Sequence, residues 1–489
     1  MSGFNVCIAR PPHYRPSEAF REVAEALHFA LLRLGQRSVI TENQWSDGRR
    51  PIVLAPHLLG PDAIESLPAD AVLYNFEQLT PALLERYPHY RRALQAFEVW
   101  DYAAENIERF ASLGLNGEPR LLPVAYVPEW TRIERAEAQD IDVLFYGSVN
   151  DRRRDILQEL GEAGLEVAVH AGVYGPHRDG LIARAKLVLN AHFHDAQVFE
   201  MPRVGYLLAN SVPVVAELGA RTRIDPALRD AVRAVPREAL ADACIELAYD
   251  AAARAELGKR AFRRFSGLPL EPLLAPLVGV SATTSSRVYP CALTVGSGKD
   301  WRADRLNLDI EPRWHPDVVL DLARPIALPL EVDTERLGPV ALCEGMYERI
   351  SANDVLEHIP DLPAAMTNCL RLLKLGGELE VKVPYDLSYG AWQDPTHVRA
   401  FNERSFLYYT DWFWYLGWTD HRFDLVALDY AYSELGERLR AEGVEPAEIA
   451  RTPRAVDELR VRLRKRGTTE EERADALARR GRTPLRPAG

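Results

Sequence analysis

The sequence predicts an α/β protein of successive parallel-sheet units that ends in a charged helical tail. Three observations carry this expectation. Short apolar runs alternate with helical stretches through most of the 489 residues, the pattern of parallel sheets flanked by helices. Some of those runs end in glycine turns, as at Tyr146-Gly147-Ser148 and Val295-Gly296-Ser297-Gly298, and ligands of open α/β sheets gather at the carboxyl ends of strands. Residues 267–289 (GLPLEPLLAPLVGVSATTSSRVY) are rich in Pro, Gly, Ser and Thr, which predicts a linker between units.

Taken in order, strands are expected at Phe4–Ala9, Ile52–Ala55, Ala71–Tyr74, Asp142–Tyr146, Val167–His170, Leu187–Leu189 and Val212–Val215. Amphipathic helices are expected at Ser17–Leu34, where Pro16-Ser17 precedes Glu18, and at Asp155–Ala163. Asn116-Gly117 and Pro123–Pro128 suit a hinge. These elements divide into blocks 1–135 and 136–266, a linker 267–289, a third block 290–435 opening with the strand Cys291–Val295, and a helical tail 436–489. The basic run in the tail reads as a solvated helix more readily than as a patch for an anionic partner.

Composition narrows the class. With a net charge of -12, a general nucleic-acid or anionic-membrane surface is not expected. No apolar run reaches the ~20 residues that span a bilayer, and MSGFNVCIAR is not a signal peptide, so a cytoplasmic location is expected, with peripheral membrane contact left open. The cysteines Cys7, Cys244, Cys291, Cys343 and Cys369 are scattered without a CxxC pair, so neither a disulfide framework nor structural zinc is expected. They read as buried small apolar residues.

The third block carries the densest motifs. A strand leads into Gly296-Ser297-Gly298, the next strand Leu306-Asn-Leu-Asp309-Ile ends near an acid, and Asp321 closes the strand Asp317–Leu320. Then follow Asn353-Asp354-Val-Leu-Glu357-His358-Ile, a helix through Leu373, Leu375-Gly376-Gly377 and the strand Glu378–Val383. This ordered set resembles class I S-adenosylmethionine-dependent methyltransferases. The continuation PYDLSYGAWQDPTHVRAFNERSFLYY is similar to methyltransferases of polysaccharide gene clusters. The resemblance implies that Gly296, Ser297, Gly298, Asp309 and Asp321 hold S-adenosylmethionine, with Asn353 and Asp354 close by. On the acceptor side it points to Asp386, Asp394, His397 and Arg399. A His beside a carboxylate can take a hydroxyl proton near neutral pH. The same residues would equally serve to shape turns and pin a loop. Thr294 and Asp300 stand where many methyltransferases have an acid and a third glycine.

The second block holds Tyr146-Gly147-Ser148-Val-Asn-Asp-Arg-Arg-Arg154, Asn190-Ala-His192-Phe-His194, Phe199-Glu200-Met-Pro-Arg203 and Pro213-Val-Val. This is similar to the nucleotide-sugar half of GT-B-fold glycosyltransferases, and implies that Gly147, Ser148, Arg154, Glu200 and Arg203 bind a nucleotide-diphosphate sugar. Helix amides and arginine suit a diphosphate, and a carboxylate accepts from sugar hydroxyls. A Glu200–Arg203 surface ion pair is the plainer alternative, and Leu208 stands where a second glutamate is usual. The first block would be the acceptor half. His13 is its candidate base or acceptor contact, and Asn75 and Glu77 are expected near the same cleft. No Asp-x-Asp metal motif stands out and no metal is expected.

The resemblances together imply two Rossmann-like halves of a GT-B fold, a third Rossmann-like methyltransferase domain, and a bifunctional enzyme of surface-glycan assembly. It would transfer a sugar to a glycan or lipid-linked acceptor and O-methylate a sugar hydroxyl. Three alternatives stay open: a glycosyltransferase with a silent methyltransferase-like module, a methyltransferase on a degenerate glycosyltransferase scaffold, and a structural protein with empty Rossmann-like units.

Overall fold

The first apolar runs form one parallel sheet. In the computed structural model, which describes residues 3–45, 48–193, 198–282 and 285–480, these strands are β1 (Phe4–Ile8), β2 (Ser38–Glu42), β3 (Arg50–Leu54), β4 (Val72–Asn75), β5 (Glu98–Asp101) and β6 (Arg120–Leu121). Their order is β2-β1-β3-β4-β5-β6, every pair parallel. A second parallel sheet holds β7 (Ile141–Tyr146), β8 (Val167–His170), β9 (Ala185–Asn190), β10 (Val214–Glu217) and β11 (Arg233–Val235), in the order β11-β10-β9-β7-β8. Strands such as β1, buried at all five positions, read as unbroken apolar runs because both faces of the sheet are covered.

Both sheets belong to one compact unit that ends at Tyr289, to which Pro339–Ala341 also group, and the rest of the chain from Pro290 forms a second. Within the first unit, the helix expected over Ser17–Leu34 is a 3-10 turn, Arg15–Phe20, running into an α-helix, Arg21–Arg33. It is not amphipathic toward water: every residue from Arg21 to Arg33 is buried. Its charges meet side chains from distant parts of the unit instead. Arg178 donates to Glu22 at 2.9 Å and Arg132 to Glu25 at 2.7 Å, while Arg33 pairs with Glu129 at 2.6 Å and with Glu271.

The expected linker 267–289 contains a helix, Glu271–Val278. Pro272 falls in its first turn, where a missing N–H breaks no hydrogen bond. Leu270, Leu274 and Leu277 share one buried face, and Glu271 reaches Arg33 on the long helix. The segment is therefore packed structure, its apolar spacing outweighing its proline content.

In the second unit, β12 (Ala292–Val295), β13 (Leu306–Asp309), β14 (Val318–Val319), β17 (Tyr347–Asn353), β18 (Leu373–Pro384), β19 (His421–Tyr432) and β20 (Val456–Gly467) make a seven-stranded sheet ordered β14-β13-β12-β17-β18-β20-β19. β15 (Leu330–Thr334) and β16 (Gly338–Leu342) form a separate two-stranded ribbon. Five strands are parallel, and β20 runs antiparallel between β18 and β19. Numbered along the chain, the sheet strands run 3-2-1-4-5-7-6, a doubly wound order that reverses beside β12. The stretch Leu375-Gly376-Gly377, placed ahead of the expected strand Glu378–Val383, lies within β18.

The expected helical tail contains β20. Leu459, Val461 and Leu463 are buried and Arg460, Arg462 and Arg464 are exposed, the alternation of a strand with one wet face. Helices Glu434–Ala441, Pro446–Arg451 and Glu470–Arg480 flank it. Cys7, Cys244, Cys343 and Cys369 are buried free thiols and Cys291 is half-buried. Among the described residues no helix is long and apolar enough to cross a membrane.

Candidate functional site

At the carboxyl end of β12 the chain turns through Gly296 and Gly298, both at positive φ (60° and 30°). A Cβ on Gly296 would lie 2.3 Å from Val355 Cγ2, so glycine is required there by packing. At Gly298 the nearest atom is Asp309 Oδ2, 3.8 Å away, and the remaining space is open. The Gly298 amide donates to Asp309 Oδ2 at 2.9 Å and the Glu311 amide to Oδ1 at 2.9 Å. Glycine turn and carboxylate thus converge at one strand end. A carboxylate has about four acceptor positions, so two remain for a ligand. Ser297 is fully buried and its hydroxyl has no partner. Asp321 accepts from the Ala323 amide and pairs with Arg324 at 3.1 Å. Asn353 donates to Asp300 at 3.0 Å, and Asp354, at φ 51°, is held by Lys382 at 2.5 Å.

Two residues past Val355 stands Glu357, in the 3-10 turn Leu356–His358. It is 1% exposed, and neither carboxylate oxygen has a hydrogen-bond partner. Burial pushes its carboxyl up to about 7. His397 Nε2 lies 3.9 Å from Glu357 Oε1, and the His358 and His397 rings meet edge-on, centroids 4.6 Å apart. The proton positions follow from their partners. His397 Nδ1 faces the Ala391 carbonyl at 3.1 Å, and a carbonyl only accepts, so Nδ1 carries the proton. Thr396 Oγ1 donates to Asp394 at 2.6 Å, so His358 Nδ1, 3.0 Å from that oxygen, donates to it. In the neutral imidazole Nε2 is then the acceptor nitrogen of each ring.

The expected Asp394–His397 pair does not form through the ring. Asp394 accepts from the amide and hydroxyl of Thr396, and the carboxylate beside His397 is Glu357. Arg399 donates to the carbonyls of Ile359 and Pro360 at 2.8 and 2.6 Å, bracing the loop that carries His397. Asp386 accepts from Asn402 at 3.0 Å through Oδ2, while its buried Oδ1 has no partner.

In the first unit, Gly147 (φ 139°) ends β7, and a Cβ there would lie 3.0 Å from Arg203 Nη2. Arg203 sits over the Tyr146 ring at 5.3 Å and reaches Asn190 at 3.4 Å. The helix Asp151–Glu162, N-capped by Asn150, directs Arg153 inward. Arg153 bonds the carbonyls of Ala191 and Ser148 and reaches Glu200 at 3.3 Å, flanked by the rings of Phe145 and Phe193. Burial pulls its guanidinium down to about 10. The expected ligand Arg154 is instead turned outward, its side chain 61% exposed and paired with Asp151, because each helical residue turns by about 100°. Glu200 precedes the helix Met201–Ala209, 3.9 Å from His192 Nδ1. Glu200 Oε2, His192 Nδ1 and Asn190 Nδ2 are all buried without hydrogen-bond partners. Glu200 thus pairs with Arg153 rather than Arg203.

His13 (φ 62°) is exposed in the loop after β1. Asn75 is a scaffold hub, not a cleft residue: it donates to Asp101 at 2.7 Å and accepts from Tyr90 and the Glu77 amide. Glu77 lies 3.5 Å from His57 Nε2. His194 lies outside the described residues.

No protein-family model matches the chain. It is 30% identical over 163 residues to the uncharacterized protein L137 of Acanthamoeba polyphaga mimivirus, covering 32% of this chain and 21% of that protein. It is 31% identical over 155 residues to that virus's uncharacterized protein L140, covering 30% and 48%. The chain therefore spans less than half the length of either relative. Among solved structures, T4 phage BGT in complex with UDP-glucose aligns at 11% identity and a TM-score of 0.37, covering 54% of this chain and 94% of that one. A SAM-dependent methyltransferase from Archaeoglobus fulgidus aligns at 14% identity and a TM-score of 0.24, covering 36% and 86%. Likenesses this distant carry no assignment, so the reading of the sites rests on their own geometry.

Sequence reasoning missed Arg153 and the cluster that Glu357 and His358 form with His397. The Glu-His doublet was visible as a fold marker, but only the packing shows that Glu357 is buried without a donor. Nothing in Arg152-Arg153-Arg154 distinguishes the inward arginine until the start of the helix is fixed by Asn150.

Proposed function

We propose that the chain is a bifunctional glycan-modifying transferase. Its second unit O-methylates a sugar hydroxyl, and its first moves a sugar from a nucleotide-diphosphate donor to a glycan or lipid-linked acceptor. The observation that carries the methyltransferase reading is the convergence of the open Gly298 turn and the Asp309 carboxylate at the reversal point of the sheet.

S-adenosylmethionine, when bound, would supply an electrophilic methyl group. Asp309 would accept from its ribose hydroxyls, and Ile310, 64% exposed beside that carboxylate, offers an apolar shelf for a flat ring. Acceptor activation falls to the cluster of Glu357, two residues beyond the Val355 that packs on Gly296, with His358 and His397. In the first unit Arg203 and the amino end of the helix Met201–Ala209 suit a diphosphate. Glu200, with one oxygen unbonded, suits sugar hydroxyls.

A thermal-shift screen with S-adenosylhomocysteine and a panel of nucleoside diphosphates tests both halves. Asp309→Ala is expected to abolish the first response and spare the second. Glu200→Ala is expected to weaken the second and spare the first. A response only to nucleotides would leave the second unit a silent module, and a response only to S-adenosylhomocysteine would leave the first a scaffold.

A further inference from the structure

We propose that Glu357, His358 and His397 form a divalent-cation site of two imidazole nitrogens and one carboxylate, suited to a first-row ion such as Mn2+, Fe2+ or Zn2+. It departs from the expectation that the protein uses no metal. The three ligand atoms lie within 4.8 Å of one another. Ligands at about 2.1 Å from a shared ion stand roughly 3–3.5 Å apart, so a contraction of about 1 Å would close the set.

Three features separate this cluster from an ordinary ion pair. A His–Glu salt bridge draws to hydrogen-bond distance, about 2.8 Å, yet His397 Nε2 stays 3.9 Å from Glu357. The carboxylate is buried with both oxygens unbonded, which is costly unless something positive completes it. Each imidazole is also turned by a bond at its other nitrogen, His397 by the Ala391 carbonyl and His358 by Thr396, itself held by Asp394. Outer bonds of that kind orient metal-binding histidines and leave Nε2 free to coordinate.

The two chain segments are tied independently of any ion. The Val398 amide donates to the Glu357 carbonyl at 2.9 Å, and Arg399 bonds Ile359 and Pro360. Mixed imidazole–carboxylate sets favour transition ions over Ca2+. Three protein ligands leave open positions, and a hydroxyl oxygen bound there becomes more acidic. That role, making a sugar hydroxyl acidic enough to give its proton to solvent water as its oxygen takes the methyl group from the sulfonium, rests on the methyltransferase reading; the site itself does not.

The test is titration of the untagged, chelator-stripped full chain with Co2+, read by visible absorption and calorimetry, with no cofactor present. The expected result is a saturable d–d band at a single equivalent. It should be lost in His358→Ala and weakened at least tenfold in Glu357→Gln, with far-UV circular dichroism unchanged. His358 is only half-buried, so that variant decides the matter if Glu357→Gln fails to fold. Absence of the band in wild type, or full-strength binding in a folded His358→Ala, overturns the site. Since S-adenosylhomocysteine binding is read separately, failure of the metal site and failure of the methyltransferase reading are distinguishable.

Discussion

The long helix of the first unit and the Glu357 turn of the second bury carboxylates equally deeply, and treat them in opposite ways. Glu22, Glu25, Glu129 and Glu271 are 4%, 1%, 4% and 5% exposed, against 1% for Glu357. Each of the four meets a guanidinium: Arg178, Arg132, and Arg33 for the last two. Glu357 has no hydrogen-bond donor, and two bare imidazole nitrogens stand beside it. A buried acid with its cation holds two halves of a unit together. A buried acid without one is left with its charge uncompensated.

The largest effect expected from breaking this comparison comes from the paired side. Arg33→Met leaves Glu129 and Glu271 buried without a cation, and should destabilise the first unit by about 3–5 kcal/mol. A shift in the urea transition followed by tryptophan fluorescence checks it, and a loss below ~1 kcal/mol would mean that the network is relaxed by water. On the unpaired side the sign reverses. In metal-free protein at pH 8, Glu357→Gln removes a buried charge that nothing offsets, and should be neutral or stabilising by about 1–2 kcal/mol in thermal melts. Marked destabilisation would show that Glu357 is structural.

The donor cleft sharpens the comparison further. Glu200→Ala should weaken binding of a nucleotide-diphosphate sugar at least tenfold, about 1.4 kcal/mol, measured by calorimetry, while free nucleoside diphosphate binding changes less because Arg203 is retained. The smallest effect is expected at the chain's end. Glu472 takes bonds from Arg466 and Arg422, and the Arg466 bond holds its carboxyl well below the usual range. A folded value lower than the unfolded one stabilises above the ordinary carboxylate pKa and is lost as pH falls below it. Glu472→Gln should therefore cost about 1 kcal/mol at pH 7 and progressively less as pH falls from the ordinary carboxylate value toward the depressed folded one, read from melts of the second unit at pH 7 and pH 3.

How much of this was legible depended on where chain pattern and packing agree. Val167–His170 is a strand at the boundaries its apolar run marks, and the β12–β13 turn is visible as glycines followed by a strand-end acid. The strand β20 was hidden by charge: ELRVRLRKR alternates with period 2, yet its arginines dominate any reading by composition. Its register against Glu378 and Asp424 depends on partners distant in sequence. The helix Glu271–Val278 was hidden by its prolines: Pro272 sits in the tolerant first turn, but Pro276 lies inside the helix. Side-chain roles were least legible, because the inward turn of Arg153 and the isolation of Glu357 are properties of neighbours that no local window contains.

The central claim is that the Gly298 turn and Asp309 carboxylate form a cofactor-binding strand end. Isothermal titration of S-adenosylhomocysteine into the wild-type chain and Asp309→Asn tests it most directly. The account predicts saturable one-to-one binding in the wild type that falls at least tenfold in the variant. Equal affinity in the two proteins, or no heat of binding in the wild type, would contradict it.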